Sequence, residues 1–373
     1  MVATNPAPVF RLWGRLSEVG LKVNHVLERT LFVGVLSALA IGFFGHGHLN
    51  QYSFLITPLF AYLTFMTSIG TRISDFRELV HRPFPIFYAL LLLHIVMPVL
   101  AFIIGHAVFP GAGMEPYRIG LVLTMAVPIG VTTVIWTQMM DGDLPLALAI
   151  VVLDTLISPL IVPATVRTFF GTQIEYSFSS IVVGLVEMIV LPTLAGIAVC
   201  EFSHGKAQSY LRPVAGPTSK LGLYLVIAIN AAKIAPLLSP QVPYARLLVI
   251  IFFMCALSYA VGYESSRLVS GGNRAMRVTL TYNVGMRNLC AGTVIATGYF
   301  PPLVGLTVIL GMLYQQPLAS LLAMLFRRGQ GKGLKEARGR AGYEGGGTSA
   351  ASATKATSTG SATGTPRTAE RSC

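Results

Sequence analysis

The sequence predicts an all-α polytopic membrane protein of ten transmembrane helices in two inverted five-helix repeats. Three observations predict it. Of the 373 residues, 53% are hydrophobic and only 11% charged, where a soluble domain carries about 25% charged residues. Apolar runs near the ~20 residues that a spanning helix needs recur ten times, and the mean hydropathy is +0.67. Two of these runs, the fourth and the ninth, are broken by Pro or Gly beside polar residues, and they hold the same place in each half.

The spans lie near 30–46, 54–72, 84–108, 118–140, 144–167, 177–201, 218–238, 246–269, 276–299 and 302–326. The fourth contains Ala126-Val127-Pro128-Ile129-Gly130-Val131-Thr132-Thr133, the ninth Tyr282-Asn283-Val284-Gly285-Met286-Arg287-Asn288. An odd number of spans per half inverts the second half relative to the first. Interrupted helices at matched positions of inverted halves point to a secondary transporter's binding site. At bilayer depth such breaks are tolerated only where protein or a cavity satisfies the freed backbone groups. The organisation is therefore an N-terminal segment 1–29, a transmembrane domain 30–326 with repeats of about 30–170 and 177–326, and a Gly/Ala/Ser/Thr-rich tail 327–373 expected to be disordered.

Cationic residues cluster at the N-terminus, in alternate short loops and in the tail. That is the distribution of topology signals rather than of a nucleic-acid groove, so the net charge of +12 does not call for nucleic acid. The bias puts both termini in the cytoplasm, and the first thirty residues are too polar for a signal peptide. The expected location is an energised inner cell membrane. Cys200, Cys255, Cys290 and Cys373 show no metal or disulfide spacing. No HExxH, GxSxG or phosphate-loop pattern argues for an enzyme, and no cofactor is expected.

Charges inside the spans carry the functional reading. Asp154 lies near the middle of the fifth span and Arg287 near the middle of the ninth. A charge at that depth costs roughly 3 kcal/mol on insertion scales, so it faces protein or a water-filled cavity and has a partner. The two could pair with each other; Arg287 could receive an anionic substrate's carboxylate or sulfonate; Asp154 could carry a proton. The residues leave these alternatives open. Thr132 and Thr133 could bind substrate or the carbonyls freed at Pro128. Glu187, mid-span in the sixth run, is a substrate or proton contact or a helix–helix hydrogen bond. His94 is a satisfied core histidine or a proton relay, and Lys233 a snorkelling end residue.

The chain resembles the bile acid:sodium symporter family over nearly all of 30–326. The resemblance rests on the order and spacing of Leu63-Thr64-Phe65-Met66-Thr67-Ser68-Ile69-Gly70, Asp75-Phe76-Arg77, Arg82-Pro83, Met97-Pro98, Pro128-Ile129-Gly130, Gly142-Asp143, Ser158-Pro159 and Val284-Gly285-Met286-Arg287-Asn288. It implies a core domain with two crossed broken helices, a panel domain that includes the Glu187 helix, and a substrate cavity between them.

The sequence departs from the sodium-coupled members at their ligands. The family's Ser-Asn after the first break reads Thr133-Val134, its fifth-helix hydroxyls fall at Ala147 and Val151, and its third-helix Gln is Leu93, beside His94. Its Glu-Val-Gly-Met-Gln-Asn reads Asn283-Val284-Gly285-Met286-Arg287-Asn288. Sodium needs several oxygens in a small cage, and a fixed guanidinium would repel it. The expectation is a secondary transporter that moves a small organic anion by alternating access, proton-linked or exchanging rather than classically sodium-coupled. Thr132, Thr133, Asp154, Asn283, Arg287 and Asn288 serve on the core and Glu187 on the panel. The alternatives are sodium symport through backbone carbonyls and Asp154, and a receptor or scaffold that kept the fold without transport.

Overall fold

The computed structural model describes residues 8–72, 81–130, 132–171, 178–237, 240–271 and 273–345. The Asp75-Phe76-Arg77 motif, Val131 and the tail beyond Gly345 lie outside the described residues. The described residues are helical, with no strand among them. The chain divides into two units, Met1–Met324 and Leu325–Cys373. The first holds the transmembrane bundle. In the second, helical backbone runs on past Arg327 to Gly345, beyond the boundary that composition sets for the tail.

An N-terminal helix α1, Pro8–Arg29, precedes ten spans. The first five are α2 (Leu31–Phe44), α3 (Ile56–Ser68), α4 (Pro83–Val108), the pair α5 (Glu115–Ala126) and α6 (Thr132–Met139), and α7 (Leu144–Phe170). The second five are α8 (Phe178–Phe202), α9 (Lys206–Ile234), α10 (Tyr244–Ser270), the pair α11 (Arg274–Gly285) and α12 (Leu289–Tyr299), and α13 (Pro302–Gly345). Both interrupted spans break where Pro and Gly predict. The seventh span differs: α9 starts at Lys206, twelve residues before the expected 218. Its polar first turns pack against α1 rather than lipid, so hydropathy alone does not find them.

Local chemistry sets the element ends. Asp143, Asn273 and Asn288 cap α7, α11 and α12, accepting from Leu146, Ala275 and Ala291 N–H at 3.2, 3.0 and 3.1 Å; such caps satisfy donors that the first turn leaves orphaned. In α4 and α8 a prolyl nitrogen, Pro98 or Pro192, cannot donate. Each helix widens just before it into a π turn, Leu92–Val96 and Val186–Val190, closed by Met97 N–H to Leu92 O and Leu191 N–H to Val186 O. In the acidic loop before α7, Asp143 pairs with Arg82 and its N–H reaches Thr279 Oγ1 at 2.8 Å.

Two groups of helices result. Helices α2, α3, α8 and α9 pack on one another, and α4 to α7 and α10 to α12 form the other group. Gly262 lets α10 and α11 meet backbone to backbone: a Cβ there would lie 2.5 Å from Leu280 O. Large apolar side chains such as Phe44, Phe202, Val249 and Leu160 are exposed on the outside. In water that would be a patch needing a partner; on spanning helices it is the lipid-facing surface.

Candidate functional site

The two broken spans cross at their breaks. Val127 and Met286 are both extended, and the short segments that follow run antiparallel, with Ile129 opposite Arg287. Gly130 N–H donates to Met286 O at 3.2 Å and Asn288 N–H to Pro128 O at 2.7 Å. Each interruption thus satisfies the other's freed backbone groups, as bilayer depth requires.

Asp154 of α7 ties this crossing to the third span. It is wholly buried. Its Oδ2 accepts from Ile129 N–H at 2.6 Å, and its Oδ1 lies 2.5 Å from His94 Nε2. His94 is almost completely buried too, and its Nδ1 has no hydrogen-bond partner. The π turn brings the imidazole to the carboxylate. Asp154 therefore makes its contacts with His94 and the Ile129 amide; Arg287 is its electrostatic neighbour rather than its hydrogen-bonded ion pair.

Arg287 is 2% exposed. Gln315 of α13 brackets its backbone, accepting from its N–H and donating to its carbonyl, both at 2.9 Å. The guanidinium sends Nη2 toward Leu93 O at 3.5 Å, while Nε and Nη1 have no partner. Desolvating a cation costs several kcal/mol, and two unanswered donors leave that cost incompletely offset. The next glutamine, Gln316, accepts from Trp136 Nε1–H at 3.2 Å and approaches Thr132 Oγ1 at 3.5 Å. One turn of α13 thus steadies both breaks.

A cavity of about 300 Å³ lies between the two helix groups. Its walls are the breaks, α7 and α13 on one side and α3, α8 and α9 on the other. Away from the crossing the lining takes Val35 early in α2 and Thr67, Ser68 and Thr71 at and just past the end of α3, so the cavity extends from the crossing toward the face where α2 begins. Among the described residues, Arg287 and Lys220 are the two charged residues in the lining, with no carboxylate. Lys220 Nζ donates to Asn24 of α1 at 2.6 Å. Toward the opposite face the groups are joined: Thr297 of α12 donates to Asn230 Oδ1 at 2.8 Å and accepts, through its carbonyl, from Lys233 Nζ at 2.9 Å.

Of the residues singled out from sequence, Thr132, Arg287 and Asn288 line the cavity. Thr133, Asp154 and Asn283 are fully buried behind its wall. Thr133 Oγ1 has no partner, and Asn283 donates to Thr279 O at 2.8 Å. Glu187 is exposed, beside Tyr299 and away from the lining. Lys233 does more than snorkel, since it joins the two helix groups. Gln315, Gln316 and Lys220 were not legible as site residues. Adjacent amides before Pro317 inside an apolar span were a usable signal for the first two; Lys220 reads as a loop charge until α9 is seen to start at Lys206.

Crossed half-broken helices, a cavity between two helix groups and a contact joining the groups on one side define a class: the polytopic carrier. The sodium bile acid symporter family model matches residues 54–240. The chain belongs to that family and is a transporter of it. "Uncharacterized protein YbaS" of Bacillus subtilis (strain 168) is 35% identical over 75% of this chain and 91% of its own. "Uncharacterized sodium-dependent transporter YocS" of the same organism is 23% identical over 76% and 86%. "Probable sodium/metabolite cotransporter BASS2, chloroplastic" of Oryza sativa subsp. japonica is 21% identical over 82% and 72%.

Proposed function

We propose that the protein carries a small organic anion across the cell membrane by alternating access and that no sodium ion sits at the helix crossing. The observation that carries this is the charge of the cavity: among the described residues its two charged lining residues are cations, Arg287 from one helix group and Lys220 from the other. Arg287 keeps two guanidinium nitrogens, Nε and Nη1, without a partner, and a guanidinium presents adjacent donors that fit a carboxylate or sulfonate. A cavity of about 300 Å³ suits a small ligand.

The residues present do not fit a sodium ion. Ala147 and Val151 offer no side-chain oxygen, the Asp154 carboxylate at the crossing is occupied by His94 and the Ile129 amide, and the Arg287 guanidinium is buried at the same crossing. With the N-terminus in the cytoplasm, the cavity faces inward and the Asn230–Thr297–Lys233 contact closes the outside. Rocking of one helix group against the other would open that contact and close the cavity.

The sodium named for YocS and BASS2 favours a second reading, sodium symport through backbone carbonyls. Purified protein in liposomes tests both. Exchange of labelled lactate, gluconate or benzenesulfonate in choline medium, lost in Arg287→Gln, is the expected result. A strict requirement for sodium would favour the second reading, and no exchange of any of the three anions would refute the first.

A further inference from the structure

The mechanism above leaves one buried titratable pair without a task. We infer that His94 and Asp154 form a proton-binding site, so that one proton accompanies each negative charge taken up at Arg287. This rests on the anion reading and adds the coupling to it.

Charge balance carries the inference. A carboxylate only accepts hydrogen bonds. With Asp154 ionised, His94 Nε2 must carry the hydrogen between them, 2.5 Å from Oδ1. In neutral His94 the Nδ1 is then a lone pair with no partner, the atom that takes a proton. With Asp154 ionised, Arg287 cationic and His94 neutral, the three groups sum to zero. An anion on Arg287 makes the sum negative, and protonation of His94 restores it. In a buried setting an uncompensated charge is costly, so anion and proton each strengthen the other's binding, and the coupling is reciprocal. Water is the proton's donor and acceptor, and no bond other than N–H at His94 and O–H in water forms or breaks.

The same residues give the proton a mechanical connection. From His94 the contacts run to Asp154, to the Ile129 amide, across the antiparallel pairing to Arg287, and back through Nη2 to Leu93 O beside His94. The ring joins the third, fourth, fifth and ninth spans, so a change of protonation acts on the crossing that carries the anion's ligand.

Among the described residues, the other titratable groups on the packed helices have the following neighbours. On α4, Tyr88 stacks with Phe84 and His106 lies against Phe102 O. On α5, Glu115 pairs with Arg118, and Tyr117 stacks near Phe109. On α7, Arg167 lies over Phe178. On α11, Arg274 reaches Met140 O, Arg277 lies over Tyr263, and the Tyr282 hydroxyl donates to Ala319 O. Glu187 of α8 stands beside Tyr299. From α10, Cys255 faces Arg287, and the Tyr259 hydroxyl donates to Gln315 O.

The test uses the full chain in liposomes with the three anions named above, comparing exchange at equal pH with accumulation driven by a pH difference. With one proton per anion charge, wild type should accumulate a monoanion about tenfold per pH unit. In His94→Gln the accumulation ratio should fall to about one, at whatever exchange rate remains. Exchange without any response to the pH difference in wild type, or full accumulation in His94→Gln, overturns the inference while leaving the anion reading intact. Absence of exchange in wild type overturns both. Should His94→Gln fail to fold, ¹⁵N-histidine spectra of wild type and Asp154→Asn decide: a histidine titration on adding anion that Asp154→Asn alters supports the pair, and an unaltered one refutes it.

Discussion

Gln315 holds Arg287 by the backbone at both ends of the residue, its carboxamide meeting the N–H and the carbonyl at 2.9 Å each. Buried backbone groups at a helix break need partners, and a single amide supplies a donor and an acceptor together. Substituting Gln315 by Leu leaves two buried backbone groups unanswered, each worth about 1–3 kcal/mol. We expect a clear loss of thermal stability in detergent, and a smaller one in Gln315→Glu, which keeps the acceptor. Equal melting temperatures for wild type and Gln315→Leu would show that water or a rearranged chain replaces the bracket.

Sodium should leave the melting temperature of wild type unchanged when it replaces choline at constant ionic strength. An ion that binds only the folded protein stabilises it by about 2.7 kcal/mol at a hundred times its dissociation constant, an effect a melting curve resolves. A sodium-dependent rise in wild type would mean that backbone oxygens near the crossing bind the ion despite the guanidinium.

Loosening the contact at Thr297 should change which side the cavity meets. In the structure Thr67 lines the cavity and is exposed. A Thr67→Cys protein should therefore react with a membrane-impermeant maleimide added from the face where α2 begins. Adding Thr297→Val removes the hydrogen bond to Asn230, worth about 1 kcal/mol. That is enough to lower the labelling rate several-fold where the two states are close in energy. An unchanged rate would remove the Thr297 contact from the gating scheme.

Gly262→Ala should destabilise the protein by about 1–3 kcal/mol, because the added methyl meets the Leu280 carbonyl and the Thr281 backbone rather than a flexible side chain. A neutral result in chemical unfolding would mean that α10 and α11 can separate without loss.

How much of this was legible in the sequence follows from range. Hydropathy reported the spans, and Pro128, Gly130 and Gly285 reported the breaks, because both signals are local. The crossing of Ile129 with Arg287 lies 158 positions apart in the chain and emerges from packing, though matched breaks in two halves hinted at it. Asp154 and Arg287 announced themselves by their cost in lipid. Their partners did not: His94 is one of seven histidines, and only the π turn before Pro98 shows that it reaches Asp154. Lys220 was hidden because the start of α9 is polar and is held by α1 instead of lipid.

The shared burial of Asp154 and Arg287 has an electrical consequence. A fixed charge moved through the membrane potential gains or loses about 2.3 kcal/mol per 100 mV. These two opposite charges belong to the same helix group and lie close enough to feel each other, so they travel together and their contributions cancel. Whatever voltage dependence the carrier shows must then come from its cargo and from charges on the other group such as Lys220 and Lys233, and not from the buried charges that hold the crossing.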